Sequence, residues 1–372
     1  MSAKAKRFRK LWQAYGGYLI GMGFVMLAIG LITCFQAYPA AIEQYYSRGF
    51  YPYFSYLPKF LFSWIPFSVG DLLYALVLGY LIFLALRSLT ALFRSRFDVA
   101  TKGLLKLLLS IFTLYLYFQL SWGLNYYRQP LQSQLGLAVD SLAQADFLAV
   151  LDKYIERCNT LRPGLSPARF DRDLAKLELE ELMRSDKQLG AALSKTMLRA
   201  KSPLSSKLVS YFTVTGYFNP LTQEVQVNAQ IPIISYPFTV VHELTHQMGI
   251  GFEDECNFVA YLKLKDHENP WYRYAASYET LQYLLRTVYY QDPKVYKAYH
   301  AKLSDLVLAD LKAEREFWQA YSGWINNLTD FVYQGYLQHN NQPEGMARYS
   351  MMTRLVVAWE LKELKEQSQH NL

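Results

Sequence analysis

The sequence predicts a mainly α, α+β fold in which three N-terminal membrane-spanning helices lead into a helical unit carrying one small β-hairpin or sheet. Three observations predict it. Three long apolar segments fall within the first 125 residues. Helical periodicity dominates the rest of the chain. Two short β-branched and aromatic runs, separated by a turn, interrupt that periodicity before residue 236.

The first segment, residues 16–35 (GGYLIGMGFVMLAIGLITCF), carries no charge and can cross about 30 Å of hydrocarbon as a helix. The second and third cover about 69–90 and 105–124, with Asp71 near one end of the second. Three such segments so close together argue against buried helices of a globular core. A cleavable signal peptide fits the first poorly. It exceeds a typical apolar h-region, and Gln36-Ala37-Tyr38-Pro39 offers no small-residue cleavage site. The expected division is a membrane region over 1–125 and a second unit over 126–372, with its core at 205–290.

Charge sets the expected orientation. Lys4, Lys6, Arg7, Arg9 and Lys10 precede the first span, and Arg87, Arg94, Arg96, Lys102 and Lys106 surround the junction of the second and third. The loop 36–68 holds only Arg48 and Lys59. The positive-inside rule then places the N-terminus in the cytoplasm and residues beyond about 125 outside the cytoplasmic membrane. Much of the net charge of +7 is topogenic. With no aromatic-interleaved basic patch and no Gly-rich phosphate loop, it does not point to nucleic acid.

Residues 126–210 read as helical, with apolar spacing over 147–161 and a charged solvated face over 170–198. Pro163, Gly164 and Pro167 break the first from the second. YFTVTGYF (211–218) and QEVQVNAQ (223–230) then read as a hairpin around Asn219-Pro220-Leu221-Thr222. Pro237 suits the first turn of a following helix, and Gly249 and Gly251 suit its end. Residues 252–265, 277–290, 294–322 and 345–366 read as further helices.

The helix opened by Pro237 carries His242-Glu243-Leu244-Thr245-His246, an HExxH pattern. Residues four apart share a helix face, so both histidines can offer a ring nitrogen to one Zn²⁺ per chain. Glu243 stands beside the open metal position, where it can take a proton from water. With six histidines in the chain, this spacing is unlike a chance pairing. His267, His300, His339 and His370 show no ligand spacing.

A catalytic zinc site usually has a third protein ligand. The run Glu253-Asp254-Glu255 follows closely and opens the next helix. Glu253 is favoured, with Asn257 one turn on and able to hydrogen-bond a ligating histidine. Glu255 is the reserve, and Asp254 suits the helix dipole whichever Glu binds. Oxyanion donors are sought in Arg273, Tyr274 and Tyr278, or in Arg348 and Tyr349. Cys158 and Cys256 could pair, although a buried free thiol at Cys256 fits its place near the motif better. The hairpin suggests an edge strand on which an extended peptide could lie, to be blocked by Pro at Thr213 or Val227.

The runs GYFNPLTQEVQVN (216–228), PFTVVHELTHQMGIGFEDECNFVAYL (237–262), YRYAASY (272–278) and YLQHNNQPEGMARYSMMTRLV (336–356) resemble a bacterial family known as domain of unknown function 3810. That family is similar to gluzincin metallopeptidases. The resemblance implies a zincin-like domain, His242, His246 and Glu253 as ligands, and Glu243 as catalytic base. Asn257 matches the Asp position of an ExxAD-like ligand helix. The chain departs from the family pattern at Thr245 and Cys256, neither of them a ligand. The expected function is a membrane-anchored zinc metallopeptidase acting on a peptide or protein substrate. A non-catalytic, zinc-stabilised membrane sensor or scaffold is the alternative. An intramembrane protease fits poorly, because the motif lies between a polar hairpin and an acidic run.

Overall fold

In the computed structural model, Ala3–Gln36, Val69–Phe93 and Phe97–Ser121 are long helices built from the three apolar segments. Residues 3–140, 142–185, 198–323 and 349–370 are described. Within the helices, Arg9–Gln36, Val69–Phe93 and Phe97–Ser121 are long and apolar enough to cross a bilayer. Little of their surface is covered by the protein. Phe24, Leu27, Leu76 and Phe83 point outward, which suits lipid and not water. These helices mark a membrane protein.

The second span begins where the Ser68 hydroxyl accepts the Asp71 N–H at 3.1 Å. It ends in a tight turn at Arg94–Arg96 with Ser95 at φ 55°. The third helix stops at Ser121. Trp122 and Leu124, apolar enough to extend it, are buried in the core beyond the membrane helices. Gln36 donates to Gln119 at 3.2 Å, so the ends of the first and third spans lie side by side.

The loop between the first two spans is structured. Ile42–Phe50 is a π-helix and Tyr51–Phe62 an α-helix. Glu43 receives a two-pronged bond from buried Arg128, at 2.7 and 2.6 Å, which fixes this loop to the segment after the third span.

Among the described residues one sheet forms, in the order β1-β3-β2. Strand β1 (Ala200–Lys201) runs parallel to β3 (Glu224–Val227), and β3 pairs antiparallel with β2 (Gly216–Asn219). The expected hairpin is present, but its first strand starts later. Ser206–Tyr211 is helical and Thr213 has φ 54°, a left-handed conformation that stops a strand. Ala200–Lys201, in a stretch expected to be helical, pairs with β3 instead, which makes β3 a central strand. Thus Val227 is not on an edge, and Thr213 is not in a strand. The Asn219 side chain accepts the Leu221 N–H at 3.0 Å and turns the hairpin.

The helices Gln144–Leu161, Arg172–Arg184, Tyr236–Gln247, Glu253–Leu264, Pro270–Gln291 and Tyr349–His370 surround a single core. The expected helix over 294–322 is two helices, Pro293–His300 and Asp305–Gln319. The Asp292 carboxylate caps the first, accepting from Lys294 and Val295. Residues 186–197 and 345–348, where helix was also expected, lie outside the described residues, as do His339 and Arg348. Buried Glu360, from the last helix, accepts the Tyr154 and Tyr261 hydroxyls at 2.6 Å each and ties three helices together.

Candidate metal centre

The motif helix, Tyr236–Gln247, is packed on nearly every side. Pro237 occupies its first turn. Its C-terminus closes with Ile250 N–H on Thr245 O and Gly249 N–H on His246 O. Gly249 has φ 93°, a conformation that favours glycine. The last carbonyls are then claimed from outside. Tyr51 and Lys59 donate to Gln247 O at 3.0 and 3.2 Å, and Arg128 donates to Gly249 O at 2.7 Å. Positive charge at a helix C-terminus is stabilising. Burial pushes the Lys59 ammonium down to about 7.

This closure brings the Glu253–Leu264 helix back across the motif. His242, His246 and Glu253 each offer a ligand atom, all within 4.8 Å of one another. His242 Nε2 lies 3.1 Å from Glu253 Oε2, and His246 Nε2 lies 3.5 Å from Glu253 Oε1. Atoms about 2.0–2.1 Å from a tetrahedral centre stand roughly 3.3 Å apart, so the two His–Glu separations match those around a zinc-like ion.

The opposite ring nitrogens are held. His242 Nδ1 is 2.8 Å from Asn257 Oδ1, and His246 Nδ1 is 2.9 Å from Ile250 O. Both contacts direct Nε2 toward Glu253. Asn257 therefore stands where the sequence suggested. Cys256 is a buried free thiol with Sγ 3.3 Å from His246 Nδ1, and burial pushes it up to about 12. Cys158 is also free.

Electrostatics follow from crowding. Burial opposes ionisation of Glu253, but the charge of His246 and bonds from His242 and His246 hold its carboxyl well below the usual range. Burial likewise opposes charge on His246, and neighbouring Cys256 and Glu253 outweigh it, holding the ring well above its ordinary value. A cation in the cluster would take the place of that shared proton.

Glu243 is 3 % exposed, and its Oε2 has no hydrogen-bond partner. Burial pushes its carboxyl up to about 7, against the pull of His242 and His246. A Cβ on Gly216 would sit 2.7 Å from Glu243 Cγ, so β2 crosses the carboxylate at contact distance only because this residue is glycine. Both Glu243 and the cluster line a cavity of about 700 Å³.

The other sequence candidates lie elsewhere. Glu255 accepts the Leu131 N–H at 2.6 Å. Tyr274 donates to Asp310 at 2.6 Å, Tyr278 donates to Glu314 at 2.7 Å, and Arg273 donates to the carbonyls of His267 and Glu268. None of these residues lines the cavity, and the backbone of Tyr349 begins the last helix. Instead, Glu279, Tyr283 and Arg286 line it from one face of the Pro270–Gln291 helix, joined by Glu314. Burial and the neighbouring Glu314 push Glu279 up to about 8. The sequence signal for this wall is the i, i+4, i+7 spacing of Glu279, Tyr283 and Arg286, which puts them on one helix face.

A family profile matches residues 46–357 and takes in the Tyr51–Phe62 loop helix, the last two spans and every residue of the cluster. The chain belongs to the family described as "Protein of unknown function (DUF3810)". The first span lies outside the family match. No curated protein and no solved structure matches the chain.

Proposed function

We propose that this DUF3810 protein is a membrane-anchored, zinc-dependent, gluzincin-like metallopeptidase whose zincin-like domain lies outside the cytoplasm. The observation that carries this reading is Glu243. Its unpartnered, buried carboxylate oxygen borders the His242–His246–Glu253 cluster in one cavity. A buried carboxylate left unpaired is costly, and a site that uses it as a base accounts for its retention.

His242, His246 and Glu253 would hold the ion, with Asn257 and the Ile250 carbonyl orienting the two rings. The ion supplies Lewis acidity, polarising a carbonyl and lowering the pKa of water at the site. Glu243 accepts a proton from the attacking water, whose oxygen bonds to the peptide carbonyl carbon. The C–N bond breaks, and Glu243 passes the proton to the leaving amine. Arg286, the one guanidinium lining the cavity among the described residues, is assigned to the developing oxyanion.

The test compares the full chain with Glu243→Gln on dye-labelled casein as an unstructured probe. Zinc is expected to stay, and hydrolysis to fall by about 10²–10⁴-fold. Equal activity in both proteins, or none in either, supports the zinc-stabilised sensor or scaffold instead.

A further inference from the structure

The cavity beside Glu243 is walled in part by the membrane helices. Tyr74 of the second span and Phe118 of the third line it together with Trp122. At 1.5 Å per residue, Tyr74 lies about 8 Å along its helix from Val69, and Phe118 about 5 Å before Ser121. The cavity thus reaches past the ends of two apolar helices.

The edge strand is fixed at the same level. Alternation sends Tyr217 and Asn219 toward the second span, and Gly216 and Phe218 toward the motif helix. Tyr217 donates to Asp71 at 2.6 Å, and Tyr117 of the third span donates to Leu221 O at 3.0 Å. The Glu224 carboxylate accepts the N–H groups of Val69 and Gly70, capping the second span from the sheet. Phe218 packs on Trp122 with ring centroids 4.6 Å apart. Asn228 N–H bonds to Thr215 O, so that pair is hydrogen-bonded and the alternate residues Gly216 and Phe218 turn their amides to the open edge.

A soluble substrate gains nothing from such a wall. A chain emerging from the bilayer has its first extended residues at this height, and its confinement raises the local concentration toward the millimolar range. Aromatic side chains at this depth suit the membrane interface. On the peptidase reading, we infer that the substrate is an extended polypeptide segment directly following a membrane anchor in the same bilayer.

The test uses the full chain in liposomes with one unstructured casein segment in three forms. The first is soluble. The second is fused directly to a single apolar helix that displays it on the domain's side. The third is fused through a Gly/Ser spacer of about 40 residues, with a root-mean-square span of roughly 35 Å. The directly fused form is expected to be cut at least about tenfold faster than the others, within about ten residues of the helix end. Equal rates for all three forms, or rapid cutting of the spacer form, would overturn this inference and leave the peptidase reading standing. Cleavage of none would overturn both.

Discussion

The proposed chemistry rests on one buried carboxylate, Glu243, and its environment gives a sign that can be measured. Its folded-state pKa is raised from 4.5 to about 7, first by burial. The folded chain therefore holds this proton more tightly than the unfolded chain. The stability it contributes is full below about pH 4.5 and is lost as pH rises through about 7. In chelator, Glu243→Gln is expected to melt several degrees above the wild type at pH 8, with the difference vanishing near pH 4.5. The full shift corresponds to about 3 kcal/mol. A difference independent of pH would count against a strained buried carboxylate. At this scale His242, His246, Glu243, Glu253 and Asn257 are legible in the sequence, because helical spacing pairs His242 with His246 and Glu253 with Asn257, and Gly249 and Gly251 mark the turn between the two helices. Tyr274 and Tyr278 are not. Their hydroxyl partners, Asp310 and Glu314, come from a helix 36 residues away, and no local pattern announces that pairing.

The motif helix is legible as an element, since Pro237 and Gly249 punctuate it. Its external supports are not. Tyr51, Lys59 and Arg128 reach the last carbonyls from segments more than 100 residues earlier, and a lone Lys in an aromatic loop carries no such message. The hairpin is legible from its turn and β-branched runs, but its edge is not. The two-residue strand at Ala200–Lys201 covers one side of β3 and leaves β2 as the edge beside Glu243. Blocking that edge therefore belongs at Phe218, whose amide faces outward. Phe218→Pro is expected to lower casein turnover at least about tenfold relative to Phe218→Ala, with zinc content unchanged. Equal turnover in the two variants would remove strand addition as the mode of substrate binding.

At the scale of the whole molecule, three spans, a loop that folds back and a sheet capping the second span form one structure, so the site cannot be separated from its anchor. Segment length and apolarity make the spans legible; the contacts between them and the sheet depend on tertiary packing. Orientation rests on the positive-inside rule and is testable by cysteine labelling of intact cells. With native cysteines replaced, Ser322→Cys is expected to react with an impermeant maleimide, and Ser95→Cys only after permeabilisation. The reverse pattern would place the domain in the cytoplasm. The most direct test of the account is the zinc content of the purified full chain. One zinc per chain is expected in the wild type, in Glu243→Gln and in Glu255→Gln, and none in His246→Ala or Glu253→Ala. A wild type without metal, or a Glu253→Ala chain that keeps its zinc while Glu255→Gln loses it, would contradict the account.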